Sequence, residues 1–224
     1  MIQLKQAQLS VSAQKLYDAT FRELRESYRK RVAAGKISDQ GEHLALLTHY
    51  LHAQSLAKAE TAAEVAEDVL QTGRSVVVYA NYTATIDRIR KILGQGEVLT
   101  GQTTEKRRAA NMARFQAGES RVFLSTIRAG GEGVTLTAAQ DIILVDRSWV
   151  PDDAAQVQDR INRIGQLGNS ITATWIQFGL DSDIDRLLIE KQQNSNWALA
   201  GQRPRFGGGG VKDIAVLLAE LFGS

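Results

Sequence analysis

The chain has 224 residues, 43% of them hydrophobic and 23% charged, with a formal net charge of +2; this is the balance of a folded protein with a sizeable core, and it neither demands nor forbids a nucleic-acid partner. With no cysteine and only 3 scattered histidines, disulfides, thiolate metal sites, cysteine nucleophiles and a histidine metal cluster are excluded. No apolar run approaches the ~18 residues of a membrane span and the N-terminus lacks the pattern of a secretory signal, so the chain reads as intracellular with no membrane partner.

In chain order, residues 11 to about 33 predict an amphipathic helix, with Leu16, Tyr17, Phe21, Leu24 and Tyr28 at helical spacing before Gly35. Arg22, Arg25, Arg29, Lys30, Arg31 and Lys36 concentrate positive charge there, as a solvated helix face does. A second helix, rich in Ala, Leu and Glu, runs from about Glu42 to Leu70 and stops at Gly73. Both helices read as packing elements rather than sites.

From Arg74 the texture changes. Short apolar runs (SVVVYA, EVLT, RVFLST, DIILVD, ITATWIQF) alternate with helical stretches (TATIDRIRKIL, TEKRRAANMARF, DDAAQVQDRINRI, DSDIDRLLIEKQQ). Strand and helix alternating at such spacing predict parallel pairing through crossover helices, hence an α/β sheet covered on both faces. Ligands of such sheets bind beyond the carboxyl ends of the strands, which directs attention to the loops after Ala80, Thr100, Thr126 and Asp146. After Gln192 the pattern weakens. Gly207 to Gly210 read as a linker or loop, and VKDIAVLLAELF as a short closing helix docked by its apolar face. The expected organisation is a mainly helical lead-in over 1–70, a parallel α/β domain over 71–180, and a helical extension with a glycine-rich loop over 181–224.

Three segments carry candidate chemistry. In QVQDRINRIGQ, Gln156 to Gln166, Arg160 and Arg163 stand three apart on a predicted helix, so both guanidinium groups project from one face near its end at Gly165. Two such forks suit the oxygens of a polyphosphate; equally, they are the kind of pair that is simply solvated or matched by Asp153 and Asp159. In the stretch Thr126 to Pro151, Gly130, Gly131 and Gly133 let the backbone come close to a ligand with its amides exposed, although a glycine-rich turn is also often merely a turn. Neither GxGxxG nor GxxxxGK[ST] spacing occurs there. In TGQTTEKRRAANMARF, Thr103 and neighbouring amides at a helix N-terminus suit a phosphate, while Thr103 or Thr104 is also a natural helix cap and Phe115 a natural core residue.

Taken together these segments resemble Swi/Snf-type, DNA-translocating ATPases, specifically their C-terminal RecA-like (helicase C) lobe. QVQDRINRIGQ is similar to the family's QAxDRxHRIGQ, matching at Gln156, Asp159, Arg160, Arg163, Ile164, Gly165 and Gln166, with Asn162 where the family has His. Thr126, Arg128, Ala129, Gly130, Gly131, Gly133, Leu136, Thr137, Asp146, Trp149 and Pro151 match a second motif, with Thr135 and Val150 replacing its asparagines. Gly101, Thr103, Arg108 and Phe115 match a third. SVVVYANYTATIDRI and GLDSDIDRLLIEKQ echo two more, so the resemblance runs from about residue 60 to 195, and the strand-like IQLKQAQLSV with Tyr17 resembles the link between the two lobes.

The resemblance implies a RecA-like parallel sheet flanked by helices and an ATP-driven motor on double-stranded DNA. It implies that Arg160 and Arg163 reach the γ-phosphate as catalytic arginines, and that Gly131, Glu132, Gly133, Gln156 and Asp159 face ATP. Gly101, Thr103, Thr126, Arg128 and Trp149 would meet the DNA backbone, Trp149 being as readily a core anchor. ATP and Mg²⁺ would be bound mainly by an N-terminal RecA-like lobe, because the lysine loop and acidic pair of such motors are not in this sequence. The chain therefore reads as half of a motor, inactive alone, in the cytoplasm or nucleoid of a bacterial or viral source or the nucleus of a eukaryotic one. A DNA-docking module without motor activity is the competing expectation, and a dinucleotide-binding protein a third that lacks its glycine fingerprint.

Overall fold

The computed structural model describes residues 1–35, 40–131, 136–147, 172–182, 218–219 and 221–223. Among them lie strands β1 (Ile2–Gln6), β2 (Val76–Ala80), β3 (Glu97–Leu99), β4 (Val122–Thr126), β5 (Asp141–Leu144) and β6 (Thr172–Gln177). The helices are α1 (Val11–Ala33), α2 (Gln40–Gln71), α3 (Thr83–Leu93) and α4 (Glu105–Gln116). The strands form one sheet in the order β1-β6-β5-β2-β4-β3, every pair parallel. The α/β, doubly wound sheet expected from the alternating pattern is thus the observed fold.

The strands that read as continuous apolar runs are buried on both faces, as parallel strands covered by helices must be. Alternate residues divide between two cores. Val76, Val78, Val122, Leu124, Ile143 and Ile176 face α2 and α3, meeting Ala59, Ala62, Ala63 and Ala66 of the former and Ile86 and Ile89 of the latter. Val77, Tyr79, Phe123, Ile142 and Leu144 face the other way, toward Phe115 and Met112 of α4. The alanine stripe along α2 lets that helix lie close against the sheet, with little side-chain entropy lost on burial.

Residues 2–6 occupy the sheet edge beside β6, so the lead-in contributes a strand as well as two helices. A third core joins Leu24 and Tyr28 of α1 to Leu46, Leu47 and Tyr50 of α2, Leu180 after β6, and Leu218 and Phe222 near the C-terminus. Tyr17 and Tyr50 share a hydroxyl hydrogen bond of 2.7 Å within it. Among the described residues no helix is long and apolar enough to cross a membrane.

Candidate functional site

The parallel register lines up the carboxyl ends of the strands. Leu99 lies level with Ser125, Thr126 with Ala80, Tyr79 with Leu144, and Leu144 with Trp175. The loops after Thr100, Thr126, Ala80 and Asp146 therefore open on one edge. The connection after β2 runs to β3 on one side and that after β5 to β6 on the other, so the crevice between β2 and β5 is the topological switch point, where such sheets hold ligands.

At the β3 and β4 end, the loop holding Gly101 and Thr103 lies beside the exit of β4 holding Thr126 and Arg128, so four of the predicted DNA-facing residues share one edge. The structure separates the two threonines by role. Thr104 is the N-cap of α4, its hydroxyl accepting the Arg107 N–H at 3.4 Å, while the Thr103 hydroxyl accepts the Thr100 N–H at 3.0 Å and closes the turn ahead of it. Gly101 is exposed with open space around it, and Lys106 and Arg107 in the first turns of α4 are exposed cations that offset the Glu105 carboxylate. Thr126 is buried with its side chain at the sheet edge, Arg128 is exposed, and Ala129–Gly131 form a single 3₁₀ turn. Phe115 is a core residue, packed on Phe123 with ring centroids 5.4 Å apart.

At the β2 and β5 end lies a network that the sequence did not disclose. Lys58 of α2 is 1% exposed, and its ammonium lies 3.2 Å from Asp146 Oδ1 and 3.0 Å from Asp181 Oδ2. The other oxygen of Asp146 accepts from the Ser55 hydroxyl and the Asn81 N–H, both at 2.8 Å, and the Asn81 side-chain amide donates to the Arg147 carbonyl at 3.0 Å. Asp181 accepts from the Phe178 N–H and the Gln54 amide, each at 2.9 Å. Arg147 lies 4.1 Å above the Trp175 ring of β6. Burial pushes the Asp181 carboxyl above its ordinary range, opposed by the Lys58 ammonium. Burial and the negative charge of Asp146 push the Tyr82 phenol up to about 12.

The signal available for this network was a polar residue on the buried face of a helix: Ser55 and Lys58 precede Ala62 and Ala66 at helical spacing. A lysine there is almost never left unpaired.

Gly179 closes the network. Its φ is +58°, and a Cβ would stand 2.5 Å from Gln54 Oε1, the atom that accepts the Leu180 N–H. Gly179→Ala is expected to cost about 2 to 3 kcal/mol, from left-handed strain plus one broken hydrogen bond, read as a lowered urea midpoint. A midpoint equal to that of the parent protein would contradict this account of the turn.

Glu132, Gly133, Trp149, Gln156, Asp159, Arg160 and Arg163, together with Thr135, Val150 and Asn162, lie outside the described residues. Gly131 is described in its backbone only.

Comparison with known proteins matches residues 58–165 to the helicase conserved C-terminal domain. Switch 2 of Arabidopsis thaliana is 29% identical over 160 residues, which cover 69% of this chain and 19% of that protein. The SWI/SNF-related matrix-associated actin-dependent regulator of chromatin subfamily A-like protein 1 of Xenopus laevis is 33% identical over 143 residues, covering 61% of this chain and 15% of that protein. The chain thus spans less than a fifth of either relative. Among solved structures, the Sulfolobus solfataricus SWI2/SNF2 ATPase core in complex with double-stranded DNA superposes with a TM-score of 0.66 at 23% identity, over 86% of this chain and 44% of that one.

Proposed function

We propose that this chain, whose residues 58–165 match the helicase conserved C-terminal domain and which is similar to a SWI/SNF-related protein, is the second lobe of an ATP-driven motor that moves along duplex DNA. The observation that carries the proposal is the shared edge: the loops with Gly101 and Thr103 and with Thr126 and Arg128 open on the same side of the sheet as the β5 exit, from which the chain continues in sequence to Trp149 and QVQDRINRIGQ.

The division of labour follows from charge. The exposed cations Lys106, Arg107 and Arg128 beside the open backbone at Gly101 suit DNA phosphates, a contact that positions DNA without reading sequence. Arg160 and Arg163 would meet the γ-phosphate of ATP, with Gly131, Glu132, Gly133, Gln156 and Asp159 around it. Trp149 would brace this segment or meet the DNA backbone. Among the described residues the two buried carboxylates of the edge, Asp146 and Asp181, are both taken by Lys58, so they do not offer themselves to Mg²⁺. ATP and Mg²⁺ are accordingly assigned to an N-terminal RecA-like lobe, where the ion would supply charge neutralisation for the phosphates.

Two measurements test this. The isolated chain should hydrolyse ATP negligibly and bind duplex DNA feebly, with an affinity that falls about tenfold or more between 50 and 200 mM salt if two or more phosphates are contacted. Joined to a first lobe, it should hydrolyse ATP faster when duplex DNA is added. A two-lobed protein that binds DNA without hydrolysing ATP would instead establish a docking module.

A further inference from the structure

We propose that Lys58 is a positioning residue for ATP turnover, holding the carboxyl ends of β2, β5 and β6 in one fixed arrangement through Asp146 and Asp181. The inference rests on the reading of the chain as a motor lobe.

Four observations support it. Each partner of Lys58 belongs to a different connection: Asp146 is on the exit of β5 and Asp181 on the exit of β6, while Asp146 also holds the Asn81 N–H on the exit of β2. The charges are balanced, Lys58 and Arg147 against Asp146 and Asp181, so the network needs no outside ion. The acceptors are shared out: Ser55 and Asn81 take one oxygen of Asp146 and Lys58 the other. Finally, this buried ion pair stands at the end of the sheet where ligands bind, while farther along α2 the packing on the sheet is made by Ala59, Ala62, Ala63 and Ala66.

Holding three loops together does not by itself require charge. An apolar cluster of the same volume would serve as well or better for stability, because burying ions costs solvation that their attraction only partly returns. Directed bonds supply something an apolar cluster lacks, namely a fixed orientation for the backbone leaving β5. Displacement of about 1 Å at a reacting group can cost on the order of a hundredfold in rate, so orientation at this edge bears on turnover more than on binding.

The test uses the protein joined to its first lobe and three variants: Lys58→Met, Asp181→Asn, and the combined Lys58→Met, Asp181→Asn, which removes one buried charge of each sign and so keeps the network's balance. In Asp181→Asn and in the combined variant, DNA-stimulated kcat should fall about tenfold or more per folded molecule, with KM for ATP and Kd for duplex DNA within about twofold of the parent. Lys58→Met should show the same loss in whatever fraction folds. Parental kcat in either of the first two overturns the proposal, as does a raised KM with kcat unchanged, or a lowered melting temperature with unchanged kcat per folded molecule. Arg163→Ala is measured alongside. If the parent two-lobed protein does not hydrolyse ATP when duplex DNA is added, the motor reading itself fails; if it does and Arg163→Ala abolishes hydrolysis while the network variants keep parental kcat, only the positioning role fails.

Discussion

In the two-lobed protein, Arg163→Ala is expected to lower DNA-stimulated ATP hydrolysis by about a thousandfold, with duplex binding and folding nearly unchanged. Transfer of the γ-phosphoryl group spreads charge over its oxygens, and there is little covalent chemistry for the protein to perform. A fixed cation placed where that charge develops acts on the barrier and only weakly on ground-state binding, so the loss should appear in kcat rather than in KM. Arg163→Lys keeps the charge but loses the planar fork, and should recover only a small part of the rate. Arg160→Ala should also be severely impaired, and the double variant scarcely worse than either single one, since groups that act as a unit are not additive. The check is a steady-state ATPase assay with and without DNA. Activity within tenfold of the parent in Arg163→Ala would leave that arginine as a solvated helix residue, the alternative that its spacing alone allows.

Phe115→Ala is expected to cost about 3 to 5 kcal/mol, a large share of the roughly 5 to 15 kcal/mol that stabilises a typical domain. The ring is 0% exposed and packs on Phe123 in the core between the sheet and α4, with Met112 beside it. Truncation removes the transfer energy of the ring and leaves a cavity that the surrounding structure only partly fills. Since α4 also carries the Thr103 and Thr104 turn, loosening its last turn should weaken DNA binding in proportion to the unfolded fraction. Denaturant unfolding should show a lowered midpoint at unchanged slope. Phe115→Leu, which keeps most of the volume, should cost less than half as much. A midpoint for Phe115→Ala within experimental error of the parent would remove Phe115 from the core and reopen its assignment within the third motif.

What the sequence by itself determined is the information that is local. Hydrophobic period distinguished strands from helices: VVVYA of the run SVVVYA and VFLST of RVFLST are buried throughout as β2 and β4, and the helices starting at residue 11 and near Glu42 are α1 and α2. Their alternation sufficed for a doubly wound parallel sheet, because short crossovers leave a parallel strand few other partners. Two of the motifs fall on the loops after β3 and β4, which the register brings to one edge.

Only the tertiary structure decided what depends on partners far away in the chain. One local choice was settled there too: Thr104 and not Thr103 caps α4, because Thr104 has the extended φ and ψ of an N-cap, −66° and 152°. The strand of residues 2–6 pairs with β6, Gln6 meeting Gln177 across 171 positions. Above all, α2 reads locally as a packing helix, and so it is along its alanine stripe. Lys58 sits on that same buried face, and nothing within a few residues of it explains why a cation should be there. The reason is Asp181, 123 positions away, and Asp146 beside it: a buried charge is tolerated only where opposite charge is brought to it, and folding, not the local pattern, brings it.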